Sequence, residues 1–128
     1  MEEPEKRSDE LAHTVIGAAI EVHRILGPGY LESVYEEALC SELTAHKIRY
    51  ERQKPFVVLY KDLKVGEGRL DILVEKRLIV ELKAVSQLND VHLAQVLAYL
   101  KGNDLQLGLL INFNVKLLRD GIRRVVSS

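Results

Sequence analysis

An aspartate and a Glu-x-Lys triplet stand in two neighbouring apolar runs of this chain, Asp71 in GEGRLDILVE and Glu81, Leu82 and Lys83 in RLIVELK. Both runs are rich in Ile, Val and Leu and read as adjacent β-strands. Strand side chains alternate faces, so Glu81 and Lys83 project to one side. With a tight connection centred on Lys76, Asp71 falls opposite Glu81 and joins them. Two carboxylates and an ammonium on an otherwise apolar sheet are costly without a purpose. A divalent metal supplies one, since hard cations take carboxylate oxygens and leave positions for water and phosphate. A lone Glu-x-Lys is ordinarily a solvated strand face; the spacing to Asp71 and the hairpin shift the balance toward a site.

Other residues could join them. Gly29, Glu32 and Tyr35 form G-x-x-E-x-x-Y, with Glu32 and Tyr35 three apart on one helical face. The plain reading makes Glu32 a complement to the helix dipole and Tyr35 a core side chain. Gln95 and Tyr99 lie four apart in AQVLAYL, with His92 on the same face. A glutamine buried there needs partners and a site would provide them; a solvated glutamine is equally ordinary. The four histidines, at 13, 23, 46 and 92, show no ligand spacing to one another or to Cys40. His23 reads first as a structural histidine and second as a participant. Gly66 and Gly68 sit inside a strand pattern, where glycine permits a bulge or a close backbone approach. No P-loop, dinucleotide fingerprint or nucleophile elbow is present.

The elements that must position these residues follow from periodicity. After a short polar lead over residues 1–8, taken as flexible, an apolar stripe predicts a helix over Leu11–Leu26, capped by Ser8 or Asp9 and ended by Gly27 and Pro28. A second helix is expected over Tyr30–His46. Arg49–Tyr60 is extended, Lys61–Lys64 turn the chain into Val65–Glu75, and Glu75–Arg77 turn it into Leu78–Ala84. Asn89 or Asp90 caps a third helix to Lys101, ended by Gly102. Leu105–Asn112 and Ile122–Val126 are the last strands. The order α-α-β-β-β-α-β-(β) predicts an α/β (mixed α+β) fold, a mixed sheet flanked by helices.

At 128 residues the chain reads as a single domain. One cysteine, Cys40, cannot form an internal disulfide and suits a reducing, cytoplasmic setting. No apolar stretch approaches the ~20 residues of a membrane span, so no membrane partner is expected, and the acidic start is no signal peptide. A net charge of −1 gives no general argument for nucleic acid. The cations are nevertheless grouped, as Lys47, Arg49, Arg52 and Lys54 and as Arg119, Arg123 and Arg124, and could meet phosphates or merely water.

The blocks LGPGYLESVYEEAL, GEGRLDILVE, LIVELKAV and AQVLAYL, in this order, resemble the GxxExxY protein family, a RecB-like branch of the PD-(D/E)xK nuclease-like superfamily. The resemblance runs from about Ile16 to Val125 and implies a restriction-endonuclease-like core. It implies Asp71 and Glu81 as metal-binding carboxylates for Mg²⁺ or Mn²⁺, with the Leu82 carbonyl and Glu32 completing the shell, and Lys83 as the catalytic lysine. Gln95 would orient a ligating group, and Tyr99 would brace it. Tyr35, Arg69 and His23 are further candidates for substrate contact or support. The implied activity is metal-dependent hydrolysis of a phosphodiester, in DNA rather than RNA; the small size and near-neutral charge of the chain add the expectation that a homodimer or partner protein helps to grip substrate. Rival readings are a non-catalytic nucleic-acid-binding module and a protein-interaction domain that keep the fold.

Overall fold

The computed structural model describes residues 5–128. Helices α1 (Lys6–Leu26) and α2 (Glu32–Ala45) precede strands β1 (Tyr50–Tyr60), β2 (Leu63–Val74) and β3 (Leu78–Lys83). Helix α3 (Asp90–Gly102), β4 (Leu107–Asn112), a 3₁₀ turn (Leu118–Gly121) and β5 (Ile122–Val126) complete the chain. The five strands lie in chain order, all neighbours antiparallel except the β3–β4 pair, which α3 connects in parallel.

The helix pair covers one face of the sheet. Leu11, Val15, Ala19 and Val22 of α1 and Tyr35, Leu39 and Leu43 of α2 meet Ile72, Val80, Leu82 and Ile111 there. Helix α3 covers the other face, setting Val96 and Leu100 on Leu73, Ile79 and Leu110. Even residues of β3 therefore face α1 and α2, and odd residues, Glu81 and Lys83 among them, face α3. Cys40 is buried in the first layer, where burial pushes its thiol up to about 11.

Several boundaries differ from expectation. Helix α1 opens at Lys6, so only residues 1–4 of the supposed lead lie outside the described residues, and Ser8 is a buried helical residue, not a cap. Helix α2 starts at Glu32, because Leu31 is extended. The β1–β2 connection narrows to Lys61 and Asp62, both left-handed at φ 49° and 66°, which matches the twist of a two-residue hairpin turn. At the third helix Asn89 is the cap.

The β1–β2 hairpin outgrows the sheet. Strand β2 pairs with β3 only from Ile72 to Val74, whereas its pairing with β1 runs on to the Tyr60–Leu63 pair. Tyr50 packs on the α1–α2 side and Phe56 on the α3 side, although both are even. The change of face falls between them, where Gln53 is left-handed at φ 51°. Phe56 then lies across Gly68, whose added Cβ would sit 2.3 Å from the ring. The register shift after Val58 is the bulge expected near Gly66.

Candidate metal-dependent nuclease site

The β2–β3 ladder stops at the Ile72–Val80 pair, and the next position brings Asp71 against Glu81. There the carboxylates replace the ladder. The Asp71 N–H donates to Glu81 Oε2 at 2.7 Å, and the Leu82 N–H donates to Asp71 Oδ2 at 2.8 Å. Each carboxylate is thereby fixed through one oxygen by the backbone of the opposite strand. The N–H and C=O of a strand residue leave on the same edge, so the Leu82 carbonyl also points toward β2.

The electrostatics are those of anions forced together. Glu81, 3% exposed, is pushed up to about 8, first by burial and then by the Asp71 charge, with Lys83 opposing. Burial likewise raises Asp71, against the Leu82 N–H; Glu36 and Glu32 push the same way. Lys83 is half-buried at the end of β3, near enough to stabilise both anions. A cation placed between such a pair would relieve the burial and repulsion of both.

Helix α3 brings Gln95 and Tyr99 to this face. Burial raises the Tyr99 hydroxyl, with Glu81 and Asp71 adding to it, while a hydrogen bond with Gln95 opposes. The Tyr99 ring meets Phe56 edge-on at 5.0 Å between centroids. His92 does not join them. Its Nδ1 accepts the Asn89 N–H while the Asn89 side chain caps Val91 and His92, so both residues serve the helix start.

Other candidates fall elsewhere. Tyr35 is fully buried on the opposite face, stacked on Phe113. Its hydroxyl donates to the Gly27 carbonyl at 2.6 Å and accepts the Tyr30 N–H at 3.1 Å. It ties down the α1–α2 loop and is not open to substrate. His23 is largely buried near Phe113, Nε2 2.7 Å from the Val115 carbonyl, the arrangement of a structural histidine on the face away from the carboxylates. Arg69 is exposed on β2. The grouped cations are partly engaged within the chain: Arg52 with Glu36 and Glu37, Lys54 with Glu51, and Arg124 with Asp9.

Glu32 is exposed on the first turn of α2. Its charge reaches both site carboxylates, but it does not close a shell: among the described residues no three His, Cys, Asp or Glu side chains are gathered closely enough to hold a metal ion. The donor set nevertheless fits one. Two carboxylates, each with one oxygen committed to a backbone N–H, and a main-chain carbonyl are the hard oxygen ligands a divalent cation takes, and the raised carboxylates are what an added positive charge would relieve.

Sequence reading missed two neighbours of the site. Glu36, one turn after Glu32, accepts from Arg52 at 3.0 Å and from Gln53 Nε2 at 2.7 Å. This ties α2 to the kink facing Asp71, and the i, i+4 spacing from Glu32 was its signal. Asn112, 1% exposed at the end of β4, was hidden in an aliphatic run.

No curated protein and no solved structure matches the chain. Among family models, that of the PD-(D/E)XK nuclease superfamily matches residues 9–125, which leaves out only the first turn of α1 and the last residue of β5 among the helices and strands. The five-stranded mixed sheet and three flanking helices agree with a restriction-endonuclease-like core. The chain belongs to the PD-(D/E)XK nuclease superfamily.

Proposed function

We propose that this protein is a Mg²⁺- or Mn²⁺-dependent nuclease of the GxxExxY branch, hydrolysing phosphodiester bonds in DNA rather than RNA, in the cytoplasm and as a single domain. The observation that carries the reading is the broken β2–β3 ladder, where Asp71 and Glu81 are locked side by side with Lys83 adjacent. When bound, the cation would supply Lewis-acid neutralisation of phosphate charge and acidify a water. Asp71, Glu81 and the Leu82 carbonyl would hold it, with Glu32 swinging in directly or through water. Lys83 positions or deprotonates the attacking water, or meets charge developing on the phosphate. Gln95 and Tyr99 hold their shared hydrogen bond beside the carboxylates and limit how those groups can turn.

A second copy or a partner protein would extend the grip on substrate. Val57, Leu59, Tyr60, Leu63 and Val65 are all exposed on the projecting hairpin, and β1 is an edge strand of the sheet among the described residues. One observation favours a non-catalytic nucleic-acid-binding module instead, namely that Glu32 stands off from the other carboxylates.

The test is a panel of labelled single-stranded, duplex, flapped and branched DNA, with RNA counterparts, incubated with Mg²⁺, Mn²⁺ or EDTA. Cleavage of DNA that needs the metal is expected. Metal-independent binding without cleavage of any substrate would overturn the nuclease reading.

A further inference from the structure

Asn112, at the end of β4, is buried, and its side-chain hydrogen bonds all go to backbone. Oδ1 accepts the Val85 N–H at 3.0 Å and the Asn114 N–H at 3.2 Å, and Nδ2 donates to the Val85 carbonyl at 2.9 Å. A side chain that grips both polar groups of one residue acts as a short piece of strand. It extends the β3–β4 pairing past the point where β3 ends.

The residue so held is two beyond Lys83. In the parallel register Asn112 stands directly beside Lys83, and its side chain faces the α3 side with it. The Phe113 N–H donates to the Lys83 carbonyl at 3.0 Å, so Lys83 is flanked by backbone pairing on one side and the Asn112–Val85 staple on the other. The Asn112 backbone is itself hemmed in, since a Cβ on Gly121 would lie 2.2 Å from its carbonyl oxygen. A buried amide in an aliphatic strand costs folding energy unless every polar atom is satisfied, and here satisfaction is spent on the chain leaving Lys83.

We infer that Asn112 is a positioning residue for Lys83: through Val85 it fixes where β3 ends, and so holds the lysine ammonium against the Asp71–Glu81 pair. This deepens the nuclease reading and rests on it for its activity arm. The chemistry of the staple is specific, because it needs an acceptor and a donor on one planar group. Aspartate keeps the acceptors but sets a carboxylate against the Val85 carbonyl, and leucine keeps only the volume.

The experiment compares wild type with Asn112→Asp, Asn112→Leu and, as a control for lost stability alone, Val15→Ala in the core under α1. Single-turnover cleavage of labelled DNA in saturating Mn²⁺ is expected to fall at least tenfold in both Asn112 variants, while the Mn²⁺ dissociation constant, read by electron paramagnetic resonance, moves less than threefold. Val15→Ala should lower Tm with neither change. Asn112 variants that cleave like wild type, or that lose cleavage and Mn²⁺ affinity together, would overturn the inference. A second readout needs no substrate: trace acetylation of the Lys83 amine, followed by mass spectrometry and normalised to the exposed Lys101. The Lys83 rate should change at least threefold in the Asn112 variants and stay constant in Val15→Ala. If wild type cleaves nothing, the nuclease reading fails and this labelling still decides the staple; unchanged Lys83 reactivity then sinks it.

Discussion

Glu81 shows how a single residue reports the site before any substrate is found. Its carboxyl is raised to about 8, so the folded protein holds a proton there that the unfolded chain releases near its ordinary value of 4.5. The folded state is therefore favoured below about 4.5, and that advantage is lost as pH rises through 8. In metal-free buffer, urea midpoints should fall between pH 5 and pH 8, and Glu81→Gln should flatten the slope and match or exceed wild type at pH 8. A midpoint that rises over this interval, or a Glu81→Gln curve parallel to wild type, would contradict a desolvated, crowded carboxylate. Residue identities were largely legible in the sequence, because Asp71, Glu81 and Lys83 interrupt apolar runs. Where their carboxylates spend their oxygens was not, since nothing in a one-dimensional pattern says that a ladder will stop and side chains will take over its hydrogen bonds.

At the scale of elements, helical periodicity and Gly/Pro punctuation were enough to order the chain. The misses have local causes. Helix α1 starts early because Arg7, within the supposed lead, is held by Glu75 at 2.8 Å and Glu5 by Arg77 at 2.6 Å, contacts far apart in sequence. The face switch in the β1–β2 hairpin was equally illegible, because it depends on a left-handed Gln53 that no glycine marks. Gly68 is the residue that lets the switched hairpin close, since Phe56 occupies the space a side chain would need. Gly68→Ala should destabilise the fold by roughly 1–3 kcal/mol, as overpacking generally does. Adding Phe56→Leu should recover part of that loss, measured as a double-mutant cycle in urea. Equal stability of Gly68→Ala and wild type would show that the ring moves aside freely.

For the whole molecule, two strands and one loop edge are made to present charge at the place where a sheet is otherwise driest. The apo protein is held back by that repulsion, and a cation that binds the folded state alone should raise Tm by mass action; at a concentration a hundredfold above its dissociation constant the gain is about 2.7 kcal/mol. Asp71→Asn should remove most of the Mn²⁺-induced shift in a thermal melt while leaving the metal-free protein at least as stable as wild type. An unchanged Mn²⁺ response in that variant would place the metal elsewhere. The most direct measurement is single-turnover cleavage of labelled DNA by wild type and Lys83→Ala, compared at matched substrate occupancy in Mg²⁺ or Mn²⁺. The expected result is metal-dependent cleavage by wild type and a rate lower by about 10²–10⁴-fold in Lys83→Ala, the usual loss for a general acid–base or electrostatic group, with metal affinity preserved. Equal rates for the two proteins, or DNA bound by wild type and never cut with either metal, would contradict it.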